Sequence, residues 1–333
     1  MLLETRMKDI LEGRRPGKKI LWLLSLLYQA GIKLRHRAYK LHLLSPKKVP
    51  AVVVSVGNIV AGGTGKTPLV HFLASELAKD NKVAILSRGY RSEAENQNVL
   101  AQPSMTAAEV GDEPLWLAQK LPFVQVWVGK DRVISAQKAI EKGAEILLLD
   151  DGFQHLKLHR DFDIVVVSEE TPYSNGYFLP RGFLRDLPSR LSEASLIAVM
   201  GSKPSSFAIP QVVFDRTTSI NLQGKKVALF CAIGNPERFL KQVQAAGADI
   251  AVSFMKPDHA PFTIAELEEL AQKSKADFLV CTEKDFVKLP KNSLPIFAVP
   301  LELSMTEGEE VWKQFINQIK LQVQHVRISS RPS

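Results

Sequence analysis

From Pro50 onward, short runs of β-branched and apolar residues alternate with stretches whose apolar positions recur at helical spacing. The strand-like runs are AVVVSVGN (51–58), KVAILSRGY (82–90), FVQVWVG (123–129), EILLLDDG (145–152), FDIVVVS (162–168) and LIAVMGS (196–202). Between them the spacing predicts helices over 67–79, near 114–120 and over 130–142. Runs this apolar lack the alternation of a half-exposed strand, so they belong in a parallel sheet covered by helices on both faces, a doubly wound α/β architecture. Around 207–224 the pattern loosens into IPQVVFDRTTSINLQG, and a second series follows: KKVALFCAIG, DIAVSFM, DFLVCTEK and PIFAVPL, with helices over 236–246, 263–275 and 307–323. The pattern predicts two α/β domains, 49–222 and a smaller 223–333, the second closing over a cleft between them.

Composition adds little until charge is located along the chain. Of 43 Lys and Arg, residues 1–48 hold 12 against only 3 Asp and Glu, so residues 49–333 carry 31 against 32. The net charge of +8 is therefore a local device, which removes the case for a nucleic-acid partner. It flanks KKILWLLSLLYQAGIKLRHRAYKLHLL (18–44), whose apolar run Ile20 to Ile32 is short for a membrane span of about 20 residues. Basic residues resume at once (Lys33, Arg35, Arg37, Lys40) and no small-residue cleavage site follows, so a secretory leader fits poorly. The segment is expected to be a basic amphipathic helix lying on an anionic membrane surface. Cys231 and Cys281 stand alone in apolar runs, as buried thiols of a reducing compartment do.

The stretch VSVGNIVAGGTGKTPLV (54–70) has the strand, loop and helix order of a phosphate loop, but where a Walker motif has its first glycine this chain has Val60. The loop Val60, Ala61, Gly62, Gly63, Thr64, Gly65 can still present backbone N–H groups to a phosphate, with Lys66 as compact charge and Thr67 as a magnesium ligand at a helix N-terminus. The fold expected is thus P-loop NTPase-like. EILLLDDG ends a buried strand in Asp150 and Asp151, where a Walker-B carboxylate holds the metal. GDEP adds Asp112 and Glu113, with Pro114 expected to keep Glu113 extended; one would act on an acceptor hydroxyl and the other near the metal. PDHAPFT places His259 in a loop of the second domain, of use only if the domains bring it to Asp112. Three echoes fail. HRD (159–161) lacks the following Asn of a kinase catalytic loop, TEKD (282–285) has Lys and Asp adjacent where a guanine-specificity motif separates them, and His155 and His159 lack the glutamate of a zinc-protease helix.

Taken together, VVSVGNIVAGGTGKTP, LSRGY, GDEP, DDGFQHLKLHRDFDIVVV, NGYFLPRGFLRD, AIGNPERF, PDHAPFT and TEKDFVKL resemble the tetraacyldisaccharide 4'-kinase family of lipid A biosynthesis, from about residue 15 to about 305. The family's glycine loop has this same shape. The resemblance implies ATP with Mg²⁺, and phosphoryl transfer to the 4'-hydroxyl of an acylated glucosamine disaccharide 1-phosphate lipid. It also implies a monotopic position on the cytoplasmic face of the bacterial inner membrane. On that basis Asp112 and His259 act on the acceptor hydroxyl. Lys66 and Thr67 stand at the phosphates, Glu113, Asp150 and Asp151 around the metal, and Asn175 and Arg185 toward the acceptor. A monomer is expected. Two departures, Arg91-Ser92 after the RGY segment and LPRGFLRD with Arg181 and Asp186, fall on acceptor contacts. The competing reading is a membrane-recruited P-loop ATPase switch that hydrolyses ATP with no acceptor.

Overall fold

The computed structural model describes residues 18–290 and 293–329. The first helix, α1, spans Lys18–Lys40; residues 1–17 of the expected membrane segment lie outside the described residues. The chain then enters β1 (Val52–Gly57), α2 (Lys66–Leu77), β2 (Val83–Ser87), β3 (Val99–Leu100), α3 (Ala107–Val110), α4 (Asp112–Lys120), β4 (Gln125–Val128), α5 (Arg132–Glu141), β5 (Ile146–Asp150), β6 (Phe162–Ser168), β7 (Leu196–Met200) and β8 (Gln211–Thr217). A second series follows: β9 (Lys226–Cys231), α6 (Pro236–Ala245), β10 (Asp249–Met255), α7 (Ile264–Ser274), β11 (Phe278–Thr282), α8 (Glu283–Phe286) and β12 (Ile296–Val299). β13 (Glu302–Glu307) and α9 (Glu309–Ser329) complete the order.

The large sheet runs β13-β8-β7-β6-β1-β5-β2-β4-β3. It is parallel except at its two edges, where β13 runs antiparallel to β8 and β3 to β4. Every residue of β1 and β5 is buried, as strands covered on both faces require. One face carries α2 and α9, whose Leu69, Leu73, Leu77, Trp312, Phe315 and Ile319 share a cluster with Val54, Ile85 and Leu148. The other face carries α5, with Ala136 and Ala139 against Val53 and Leu149, and a loop layer in which Phe178 and Leu184 pack on Phe153 and Val165. β1 sits between β5 and β6, so the chain reverses direction across the sheet at the carboxyl end of β1, where doubly wound folds bind ligands. The doubly wound sheet expected from the pattern is present, and the second domain is a separate four-stranded parallel sheet, β10-β9-β11-β12. Cys231 and Cys281 are buried in it as free thiols.

The expected division at 222/223 is corrected at the C-terminal side. After β12 the chain returns to the first domain: β13 pairs with β8, Glu302 opposite Thr217, and the Trp312 indole N–H donates to Glu76 Oε2 at 2.7 Å. The second domain is therefore an insertion between two neighbouring strands of one sheet. The physical reason is that β8 offers only three consecutive buried apolar residues, Val212, Val213 and Phe214, in a stretch bounded by Pro210 and by Asp215 and Arg216. That is too short a run to separate a strand from a loop. With β8 unread, the final helix had no visible partner but the nearer domain.

α1 leaves much of its apolar surface uncovered, with Ile20, Leu23, Leu27 and Leu34 all exposed. No helix among the described residues is long and apolar enough to cross a membrane. The C-terminal half of α1 is pinned to the body. Arg35 donates to the Gln154 carbonyl at 2.6 Å, His36 Nε2 lies 2.9 Å from Asp186 Oδ1, and Ile32 packs on the loop layer.

Candidate active site

The turn from β1 into α2 explains the unusual loop. Val60 forms an antiparallel bridge with Leu184, flanked by Ala61 N–H to the Phe183 carbonyl at 2.7 Å and Arg185 N–H to the Ile59 carbonyl at 2.9 Å. A residue committed to extended pairing has no need of glycine, which is why valine stands where the motif's first glycine would be. The tight corner comes later. Gly65 has φ 99° and ψ 20°, and a Cβ there would stand 2.3 Å from the Arg216 guanidinium. Glycine alone meets both demands. Asn58 donates to Thr64 Oγ1 at 2.7 Å and braces the loop from within.

Beneath the loop lie the two aspartates of β5. Thr67 Oγ1 is 3.4 Å from Asp150 Oδ2, and Asp150 Oδ1 is buried without a hydrogen-bond partner among the described residues. Burial, with Glu113 and Asp151 nearby, raises its pKa to about 7 against the pull of Lys66 and Arg132. Asp151 is held the other way. Although burial opposes its charge, Lys66 and Arg185 keep its carboxyl well below the usual range. Arg185 grips it bidentately and also reaches Asn58, while Lys66 Nζ is 3.6 Å from Asp151 Oδ1. Arg132, nearly buried, donates to the Gly129 carbonyl and to the Asp150 carbonyl at 3.4 Å; burial lowers its pKa to about 10.

The second domain supplies the opposite wall. Asp112 and Glu113 occupy the first turn of α4, so the expectation of an extended Glu113 is overturned. Pro114 is tolerated because first-turn N–H groups have no intrahelical partner to lose. Across the cleft, His259 Nδ1 is 3.0 Å from Asp112 Oδ2. Lys288 Nζ stands 3.8 Å from the same oxygen, and Lys284 Nζ lies 3.4 Å from Glu113 Oε1. Burial opposes the Lys284 charge, but Glu113, Asp258 and Asp112 raise its pKa above the ordinary lysine value. The loop after β9 also leans over the phosphate loop: a Cβ on Gly234 would stand 3.9 Å from Gly63 N.

The residues singled out in the sequence thus fall into two groups that face each other. Thr67 and Asp150 meet, Asp112 and His259 meet, and Lys66, Asp151 and Arg185 form one ionic knot. Thr67, Glu113, Asp150 and Asp151 do not form a single cage: Asp151 is taken by cations, Glu113 is paired with Lys284, and the described residues hold no cluster of three or more acidic, His or Cys ligands. Asn175 accepts from the Tyr177 N–H at 3.3 Å within its own loop. Arg132, Arg216, Lys284 and Lys288 were not legible as site residues. Arg216 lies on β8, whose short apolar core carries no strand signal, and the two lysines lie in TEKDFVKL, a string that carries family resemblance but no chemistry of its own in the sequence.

A glycine loop between the central strand and its helix, with the acidic end of the neighbouring strand within reach of the helix's first threonine, is the arrangement of P-loop nucleotide-binding proteins. Within that class the family is also defined: residues 17–320 match tetraacyldisaccharide-1-P 4'-kinase, LpxK, and the chain belongs to this family. It is 38% identical to the tetraacyldisaccharide 4'-kinase of Chlamydia abortus, over 91% of this chain and 92% of that protein. It is 35% identical to the corresponding kinase of Syntrophus aciditrophicus, over 88% and 90%. Among solved structures it resembles LpxK from Aquifex aeolicus in complex with ATP, with a TM-score of 0.78 and 30% identity, across 91% of this chain and 99% of that one.

Proposed function

We propose that this protein transfers the γ-phosphoryl group of ATP to the 4'-hydroxyl of an acylated glucosamine disaccharide 1-phosphate, working at an anionic membrane surface on the cytoplasmic side. The observation that carries the reading is the Asp112–His259 pair, 3.0 Å apart across the cleft and facing the phosphate loop. A carboxylate held by an imidazole is suited to taking the proton of an acceptor hydroxyl, and the family to which the chain belongs favours the kinase over an ATPase switch.

The backbone N–H groups of Gly62, Gly63 and Gly65, together with the Lys66 ammonium, receive the phosphates at the positive end of α2, the Ala61 and Thr64 N–H groups being bonded to the Phe183 and Gly62 carbonyls. Thr67 and Asp150 fit a magnesium ion, since Asp150 offers a buried oxygen with no hydrogen-bond partner among the described residues, and its burial beside other carboxylates favours a counter-cation. Mg²⁺ bound there would neutralise charge on the phosphates. Asp112 takes the proton of the acceptor hydroxyl as its oxygen approaches phosphorus, and His259 holds the carboxylate in line. Asp151 and Glu113, already engaged by Arg185, Lys66 and Lys284, shape the field around the metal. The exposed apolar side of α1 would bring the site to a lipid acceptor.

Incubation with γ-labelled ATP and purified disaccharide 1-phosphate lipid should move label into a lipid spot on thin-layer chromatography, dependent on Mg²⁺. Label released only as inorganic phosphate, at a rate indifferent to the lipid, would overturn the reading.

A further inference from the structure

The TEKDFVKL segment does more than fail a guanine signature. Thr282 Oγ1 donates to the fully buried Asp285 at 2.7 Å, and Asp285 pairs with Lys288 at 2.7 Å. Asp285 also accepts from the Ala232 N–H at 3.1 Å. The Ala232 carbonyl in turn accepts from the His259 N–H at 3.2 Å, holding His259 at φ 64°, a left-handed conformation that a histidine adopts only where its surroundings impose it. The segment thereby fixes the backbone that carries the imidazole.

It also addresses the ring. Lys284 Nζ lies 3.3 Å from His259 Nε2, held there by Asp258 Oδ1 at 3.3 Å and Glu113 Oε1 at 3.4 Å. An ammonium can only donate, so the ring nitrogen facing it must accept. The other nitrogen, Nδ1, then carries the hydrogen, and it is the one facing Asp112. Asp258 does not compete for Nε2, being 3.8 Å away, beyond hydrogen-bond reach.

We infer that Lys284 is a positioning residue that sets the tautomer of His259, making Nε2 the acceptor and Nδ1–H the donor to Asp112. This rests on the phosphotransfer reading above for its purpose, not for its geometry. His259 Nδ1 and Lys288 both address Oδ2 of Asp112, and among the described residues no hydrogen bond goes to Oδ1, which is left to receive the acceptor's proton. During transfer the O–H bond of the acceptor breaks, its proton passes to Asp112 Oδ1, the new P–O bond forms and ADP leaves; the His259 hydrogen stays on Nδ1. With the opposite tautomer, a lone pair would face the carboxylate and the pair would repel.

The test is nitrogen NMR on full-length protein carrying labelled histidine, with the His259 signals assigned by their loss in His259→Gln. At neutral pH the wild type should show a protonated Nδ1 and an acceptor Nε2, and Lys284→Met should move His259 toward the Nε2–H form. Wild-type His259 found as the Nε2–H tautomer or as imidazolium overturns the inference, as does a Lys284→Met spectrum that keeps the wild-type tautomer. In transfer assays Lys284→Met should lower kcat roughly tenfold or more with KM for ATP and lipid nearly unchanged. Lys284→Arg, which still donates, should recover part of the rate. Lys284→Leu, which likewise has no donor, replaces Met where thermal unfolding shows Met to be poorly folded, with the same outcomes required. The nitrogen shifts need no substrate, so they decide the tautomer even where the lipid acceptor fails.

Discussion

Lys66 lies between the phosphate loop and Asp151, 3.6 Å from its carboxylate. On the proposed reading, in which its charge meets the transferred group in a preorganised site, its replacement by Ala should cost about 3 kcal/mol of barrier, roughly a hundredfold in rate. Thermal unfolding should shift little, and a near wild-type rate would make the loop merely structural. His155 predicts a different kind of outcome. Burial, aided by Arg132 and Arg160, lowers its pKa from 6.5 to about 4. The folded protein therefore keeps it neutral while the unfolded chain takes a proton near its ordinary value. The stability this confers is whole above about pH 6.5 and is lost as pH falls toward 4, on the order of 3 kcal/mol in all. Urea unfolding of wild type and His155→Gln across that window should show a shallower acid limb in the variant; parallel limbs would refute it. At this scale the sequence displayed the phosphate loop, the paired aspartates and GDEP plainly, since each is a local string with its own chemistry. It did not display Lys284 or Arg216, whose meaning comes only from what the fold sets opposite them.

At the scale of elements, α1 and β8 contrast. α1 was legible because charge and apolar run coincide in one stretch, and it exposes Trp22 while Trp116, Trp127 and Trp312 are buried. Anionic vesicles should therefore blue-shift the tryptophan emission through Trp22 alone, and Trp22→Phe should abolish the shift. Loss of the response at high salt is expected, with each basic residue at the surface contributing about 1 kcal/mol; a salt-independent shift of the same size would argue for purely apolar insertion. The grip of Asp186 on His36 at 2.9 Å and on Arg190 at 2.6 Å, with Gln154 bridging from Asp186 to the Asn58 carbonyl, joins this helix to the phosphate loop. β8 and β13 were not legible, because one is a three-residue apolar core and the other an edge strand with polar residues facing out. β8 becomes a strand by pairing with β7 and β13, and β13 by pairing with β8, and the contact between β8 and β13 is one that no local window contains.

For the whole molecule, the pair proposed to act on the acceptor belongs to two domains, so Asp112→Ala and His259→Ala should be strongly non-additive, the double variant scarcely slower than the poorer single one. Multiplying defects at saturating lipid would sink the pair as a unit. The return of β13 and α9 makes a second demand. Trp312, Phe315, Ile316, Ile319 and Val323 are buried in the main core, so Trp312→Ala should destabilise by about 3–5 kcal/mol, read as a lowered denaturant midpoint. Ending the chain after residue 300 should yield insoluble protein, not a trimmed kinase. The same return orders events on the ribosome. Domains generally form as units in the order they emerge, yet the large sheet here lacks its edge strand β13 and the covering helix α9 until residues 302–329 are made. The inserted domain, 226–299, has all four of its strands earlier. The large sheet thus starts before the inserted domain and is completed after it, and during that interval its uncovered face is the surface a nascent-chain chaperone would meet.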